Sequence, residues 1–275
     1  MKNKLILWIP PIFLYLIKLL LPNKKKGFFK GPYDKMSEAI IDSVGYDGDK
    51  ILKKVLRSTK EVKSGKKVYE RDGILFDKIE YSWEVLASLL WVASQEKLCV
   101  IDIGGSLGTS YFQNKKFIDH LDFLEWNIIE QPHFVKAGIK HIQDKQIKFY
   151  SNIQQCLKFC NPNVVLVSSS LQYMNDLEKF LDDIINIDAN AVIFDRTIIQ
   201  KSNRNKLYVQ HAPDSIGGSY PCYAVSENWL IKKMGGKYKL IEHFESLDFP
   251  ELLNINAFFK GFIFKKEKKY YEENN

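Results

Sequence analysis

The chain has 275 residues, 45% of them hydrophobic and 27% charged, with 15 glycines and 9 prolines. Such a composition excludes a disordered, collagenous or disulfide-dense protein and leaves room for one large α/β domain with an accessory segment. Much of the net charge of +7 sits near the ends, at Lys2, Lys4, Lys24, Lys25 and Lys26 and at Lys265, Lys266, Lys268 and Lys269. That placement suits an anionic membrane surface or substrate, and no basic-aromatic motif between the ends points to nucleic acid.

The first element is an apolar run at 5–21, interrupted by Pro10-Pro11 and carrying Lys18. It is shorter than the about 20 residues of a spanning helix, and no small-residue cleavage site follows it. Trp8, Phe13, Tyr15 and the flanking lysines predict an anchor lying on the inner face of the plasma membrane of a cytoplasmic protein. A helix packed on the domain or at a dimer contact is the alternative, and the oligomeric state stays open.

Residues 24–95 read as a largely helical accessory segment, with turn chemistry at Gly31-Pro32-Tyr33, helical spacing of Ile51, Leu52, Val55 and Leu56, and an apolar helix at 79–94. From residue 96 to 268 the pattern becomes short apolar strands alternating with helices. Strands are expected at 98–103, 126–130, 147–150, 164–167 and 191–195, with 238–243 and 257–264 closing one edge. Continuous apolar runs imply strands covered on both faces, and the alternation implies a mostly parallel sheet with helices on both sides. A tail at 269–275 follows.

Cys99, Cys156, Cys160 and Cys222 lack zinc-type spacing with histidines, and Cys99 lies in a strand-like run. A reducing compartment fits this usage better than a disulfide framework, and no metal is expected.

The chemistry should lie at the carboxyl ends of the parallel strands. There the loop Asp102-Ile103-Gly104-Gly105-Ser106-Leu107-Gly108 lets a nucleotide approach backbone N–H groups. An acid beside that loop disfavours a pyrophosphate and favours a cationic sulfonium, hence S-adenosylmethionine over NAD. Glu130, ending the second strand, is placed to accept the ribose hydroxyls, with Gln131 next to it. Ser168 and Ser169 are further cofactor candidates after the fourth strand. Candidate bases for a hydroxyl acceptor are Asp195, His211 and His133. Arg196, Gln172, Tyr173 and Tyr220 are candidates for acceptor binding, with 210–221 read as a long loop over the site.

The phrases VIDIGGSLGTSY (100–111), WNIIEQPH (126–133), SSSLQY (168–173), DRT (195–197) and SYPC (219–222) resemble those of a class I methyltransferase family. Its members are often encoded among genes for O-antigen and other surface polysaccharides. The resemblance runs from Gly31-Pro32-Tyr33 to the last strand, although Phe28-Phe29-Lys30 stand where the family usually has Trp. It implies a Rossmann-like class I methyltransferase fold with a seven-stranded sheet, S-adenosylmethionine as cofactor and a sugar-type small-molecule or glycan acceptor. The competing classes are a non-catalytic membrane-associated scaffold that keeps the cofactor pocket, an NAD-dependent sugar-modifying enzyme and a glycosyltransferase.

Overall fold

A computed structural model describes residues 28–45, 48–93, 97–212, 218–246 and 254–267. The apolar run at 5–21, its flanking lysines and the tail at 269–275 lie outside the described residues. Among the described residues no helix is long and apolar enough to cross a membrane.

The parallel layer is β4 (Lys97–Ile103), β5 (Phe123–Ile129), β6 (Ile147–Tyr150), β7 (Val164–Ser168) and β8 (Ala191–Gln200), paired in the order β6-β5-β4-β7-β8. Strands β11 (Tyr238–Glu245) and β12 (Phe258–Lys266) complete it: β12 runs antiparallel along β8, and β11 pairs with β12. This is the expected seven-stranded, Rossmann-like sheet. The chain leaves β4 toward β5 and β6, then returns to the other side for β7 and β8. The topological switch point, where ligands bind in such sheets, therefore lies between β4 and β7.

Both faces are covered because successive strand residues alternate between them. Val100, Trp126, Ile128, Val164 and Leu166 pack under α2 (Gly48–Lys63), α3 (Trp83–Val92), α4 (Thr109–Ile118) and α5 (Pro132–His141). Ile101, Ile103, Val165, Val167 and Phe194 pack under α6 (Ile153–Cys156), α7 (Leu177–Ile187) and α8 (Glu227–Met234). Helix starts follow local chemistry: the Asp176 side chain accepts from Lys179 N–H at 3.0 Å, and Ser226 Oγ accepts from Trp229 N–H at 3.2 Å.

Three more strands join the sheet, which has ten in all. Strands β9 (Lys206–His211) and β10 (Ser219–Ser226) form an antiparallel pair, and β1 (Phe29–Tyr33) adds to β9. Two expectations are corrected here. Residues 206–211 and 219–226 are strands rather than a long loop, and Gly31-Pro32-Tyr33 lies in a strand rather than a turn. The reason is β8, which outruns β7: its last residues pair with Val225 and Ser226 and hold this canopy above the carboxyl edge. The accessory segment is also less helical than expected. Besides α1 (Met36–Ile41), α2 and α3 it contains a hairpin of β2 (Tyr69–Arg71) and β3 (Ile74–Phe76). Asp72 and Gly73 at its tip have φ of 54° and 73°, the left-handed pair that a two-residue hairpin turn requires.

Candidate functional site

One cavity of about 790 Å³ opens at the carboxyl ends of β4, β5, β6 and β7. Its floor is Ile103, Gly104 and Ser106 from the glycine loop, Ile129, Glu130 and Gln131 after β5, and Ser169 and Ser170 after β7. Ser151, Asn152, Ile153 and Gln154 extend it past β6, and Tyr173 and Tyr220 roof one end. These rims come together because parallel pairing brings all four strand ends to one edge.

Backbone shape in the loop is tightly specified. Gly104 has φ +75°, and a Cβ there would lie 2.6 Å from Ser170 Cβ. Ser170 itself donates its hydroxyl to Ile103 C=O at 2.6 Å, so the β4 and β7 ends are locked together. A Cβ on Gly105 would lie 2.5 Å from the Asp102 carboxyl carbon, and one on Gly108 (φ +99°) 2.6 Å from Ile147 Cδ1. Gly104 is the glycine of the cavity wall; Gly105 and Gly108 serve the close approach of loop to core.

Three of the loop amides are already engaged. Gly104 N–H donates to Ile129 C=O at 2.9 Å, Gly108 N–H to Gly105 C=O at 2.9 Å, and Ser106 N–H to Glu130 Oε1 at 3.2 Å. Glu130 Oε2 accepts from Gln131 N–H at 2.8 Å. Burial raises the Glu130 carboxyl above its ordinary range, against the pull of those two amides. A second carboxylate, Glu70 on β2, accepts from Thr109 Oγ at 2.5 Å, at the start of the helix that follows the loop. Its other oxygen accepts from Gly73 N–H at 3.1 Å. Acids thus hold both the loop and the helix start.

Asp102 is placed differently from expectation. It is fully buried behind the loop, outside the cavity wall, where its Oδ2 accepts from Trp126 Nε1–H at 3.0 Å and faces Gly105. Its Oδ1 has no hydrogen-bond partner among the described residues. Burial pushes its pKa up to about 7, although the Trp126 bond pulls the other way. Direct attraction of a ligand by Asp102 is therefore replaced by support of the loop from beneath.

The three candidate bases also stand outside the cavity wall. Asp195, at the end of the β7-paired part of β8, is buried; its Oδ2 accepts from Ser168 Oγ at 2.8 Å and its Oδ1 from Ser246 Oγ at 3.4 Å. Ser168 in turn accepts from Arg196 Nε–H at 3.3 Å, and Arg196 Nε lies 3.8 Å from Asp195 Oδ2. Ser168, Asp195 and Arg196 therefore form one clamp at the β7–β8 junction. His211 ends β9 on the side of Asp42, whose carboxyl is held below its usual range by Lys30 and Tyr33, with a smaller contribution from His211. His133 sits in the first turn of α5, its ring 5.0 Å from that of Phe134.

Of the candidate acceptor-binding residues, Tyr173 and Tyr220 line the cavity with rings 5.3 Å apart and edge-on. The Tyr173 hydroxyl donates to Gln210 Oε1 at 3.0 Å, and burial raises its pKa well above the ordinary value. Gln172 is buried and donates to Arg196 C=O at 3.2 Å, making it a brace rather than a wall. Three non-glycine residues take left-handed backbone at these strand ends: Ser106 (φ 55°), Ser169 (φ 56°) and Arg196 (φ 48°). Such conformations persist where the surroundings over-determine them, which functional sites commonly do.

Sequence reasoning missed the far wall: Lys50, Ile51, Lys54 and Val55 on α2, Asp72 at the hairpin tip, and Phe180 and Asp183 on α7. Nothing in the α2 periodicity distinguishes a face over a cavity from one over a core. The Asp72-Gly73 pair was the available signal for the hairpin. Among the described residues no group of three or more His, Cys, Asp or Glu is arranged to hold a metal.

The chain matches no protein-family model and no curated protein. Among solved structures it is similar to LepI in complex with SAM (TM-score 0.44, 11% identity, covering 68% of this chain and 47% of that one). It is similar to the N-terminal domain of EvdMO1 in the presence of SAH and D-fucose (TM-score 0.49, 9% identity, 78% and 97% coverage). A further similar structure is the N-methyltransferase NodS from Bradyrhizobium japonicum WM9 in complex with SAH (TM-score 0.44, 12% identity, 76% and 99% coverage). The chain spans about half the length of LepI.

Proposed function

We propose that this chain is an S-adenosylmethionine-dependent methyltransferase that acts on a hydroxyl or related group of a sugar-type precursor of a surface polysaccharide. The observation that carries the cofactor choice is the engagement of the glycine loop by Glu130, an acid of the cavity wall. A pyrophosphate needs unspent amides and a positive helix start. Here Glu130 occupies Ser106 N–H, while Glu70 accepts from the Thr109 hydroxyl at the helix start. A diphosphate at the loop would meet the Glu130 carboxylate on the cavity wall, whereas a cationic group is attracted. The cradle fits a nucleoside as well: a side chain at Gly104 would crowd the wall, and each Glu130 oxygen accepts one amide and keeps a lone pair that a ribose hydroxyl could use.

Gly104, Ser106, Glu130, Gln131 and Ser169 would hold the cofactor, which supplies a sulfonium-bound methyl group when present. The acceptor class rests on the sequence resemblance. Tyr173 and Tyr220 form an apolar and hydrogen-bonding rim for it, and the Ser168–Asp195–Arg196 clamp keeps the β7 and β8 ends in register beneath. With Asp195 committed to two serine hydroxyls, orientation of the acceptor against the cofactor accounts for the rate better than a dedicated base. Titration calorimetry with S-adenosylmethionine, S-adenosylhomocysteine and NAD tests the reading. Binding of the first two without NAD is the expected result; NAD binding alone would refute it.

A further inference from the structure

A cluster of thiols stands behind the cavity, unused by the proposed reaction. Cys156 ends α6 and is fully buried, and Cys160 follows one helical turn later, half-buried. Their sulfurs are 3.3 Å apart, and Cys160 N–H donates to Cys156 C=O at 3.2 Å, closing the turn between them. The Cys160 thiol is held well below its usual range by hydrogen bonds from Cys156 and Cys99, with Lys148 adding positive charge. Of the three sulfurs, Cys160 is the most accessible, Cys99 and Cys156 being buried.

We infer that Cys160 and Cys156 are an oxidation site whose disulfide reshapes the cofactor cavity, with hydrogen peroxide as the oxidant. The Cys160 thiolate attacks one peroxide oxygen; an S–O bond forms, the O–O bond breaks, and the leaving hydroxide takes a proton to become water. The Cys156 sulfur then attacks the sulfenic sulfur; an S–S bond forms, the S–O bond breaks, and a second water leaves. Two thiols lose two electrons and the peroxide gains them.

Geometry links this bond to the cavity. Cβ atoms four residues apart on a helical turn are about 5–6 Å from each other, whereas a disulfide brings them to about 3.8 Å. The turn must therefore tighten, and it is continuous with α6. Asn152, whose side chain caps α6 by accepting from Gln155 N–H at 2.8 Å, lines the cavity together with Ile153 and Gln154. Tightening at Cys156 pulls on that wall and weakens binding there. The effect on binding rests on the methyltransferase reading; formation of the disulfide does not.

The test treats the full chain with hydrogen peroxide and follows both bond and affinity. Trypsin cuts at Lys158, so the disulfide joins the peptides 149–158 and 159–179. The expected result is that linked pair, two fewer free thiols, and S-adenosylhomocysteine affinity lowered at least about five-fold and restored by dithiothreitol. Cys160→Ser should abolish both changes, and Cys99→Ser should retain them. Four free thiols after treatment, a bond to Cys99, or a linked pair with unchanged affinity would each overturn the inference. Reduced protein that does not bind S-adenosylhomocysteine refutes the methyltransferase reading instead, and the peptide map still decides the bond.

Discussion

Asp102→Asn is the perturbation that most directly probes the foundation of the loop. The wild-type carboxyl is fully buried, with one oxygen bonded to Trp126 Nε1 and the other unpartnered among the described residues. Its folded-state pKa rises from 3.8 to about 7. At about 1.4 kcal/mol per pKa unit, the burden of the buried charge is roughly 4 kcal/mol once the group ionises. The sign follows from proton counting: between these two values the folded chain keeps a proton that the unfolded chain has lost. Stability contributed by this group is complete below about pH 4 and is lost as pH climbs through 7. Asparagine keeps an oxygen for Trp126 but never ionises, so the variant should gain on the wild type as pH rises. Urea unfolding at intervals from pH 5 to 8 measures this as a widening difference in midpoint. Parallel pH profiles for the two proteins would refute the buried, titrating Asp102.

Three further outcomes are expected. Glu130→Ala strips the acceptor from Ser106 and Gln131 amides and from the ribose position, and calorimetry should show S-adenosylhomocysteine binding about 10- to 100-fold weaker. Gly108→Ala places a methyl 2.6 Å from Ile147 Cδ1 on a left-handed backbone, and should lower stability in denaturant by about 1–3 kcal/mol. Tyr173→Phe removes a 3.0 Å bond to Gln210 but keeps the ring against Tyr220; a loss of about 1 kcal/mol with unchanged S-adenosylhomocysteine affinity is expected.

The parallel layer was legible because burial on both faces leaves unbroken apolar runs, and the structure places strands at all seven expected segments. The canopy was not. Pro221 and the polar ends of 206–211 and 219–226 look like loop chemistry, and their stability comes from pairing with the far end of β8, a contact that no local pattern encodes. β1 was hidden the same way, since Gly31-Pro32 carries turn residues and the strand exists only through β9. At the site, spacing located Glu130 and Gly104 on the cavity wall. It could not show which side of the strand end Asp102 faces. That depends on Trp126, placed beside it by the parallel register that pairs Val100 with Trp126 and Asp102 with Ile128. Asp195 and His211 have the chemistry and chain position of a base, whereas their partners, Ser168 and Ser246 for one and the Asp42 corner for the other, are set by tertiary contacts.

The length of β8 has a mechanical meaning. One edge of this strand is bonded to β12 along nearly its whole span, and the other pairs with β7 as far as Asp195 and with β10 at Ile199 and Gln200. The parallel layer and the canopy therefore share one strand and should melt as one cooperative unit. Amide protons of Thr197 through Gln200 should exchange with deuterium as slowly as those at Val192, through global rather than local opening. A canopy fused in this way cannot swing aside as a gate, so traffic into the cavity should rely on displacements of the other elements of its wall, α2, the β2–β3 hairpin and the α6 turn.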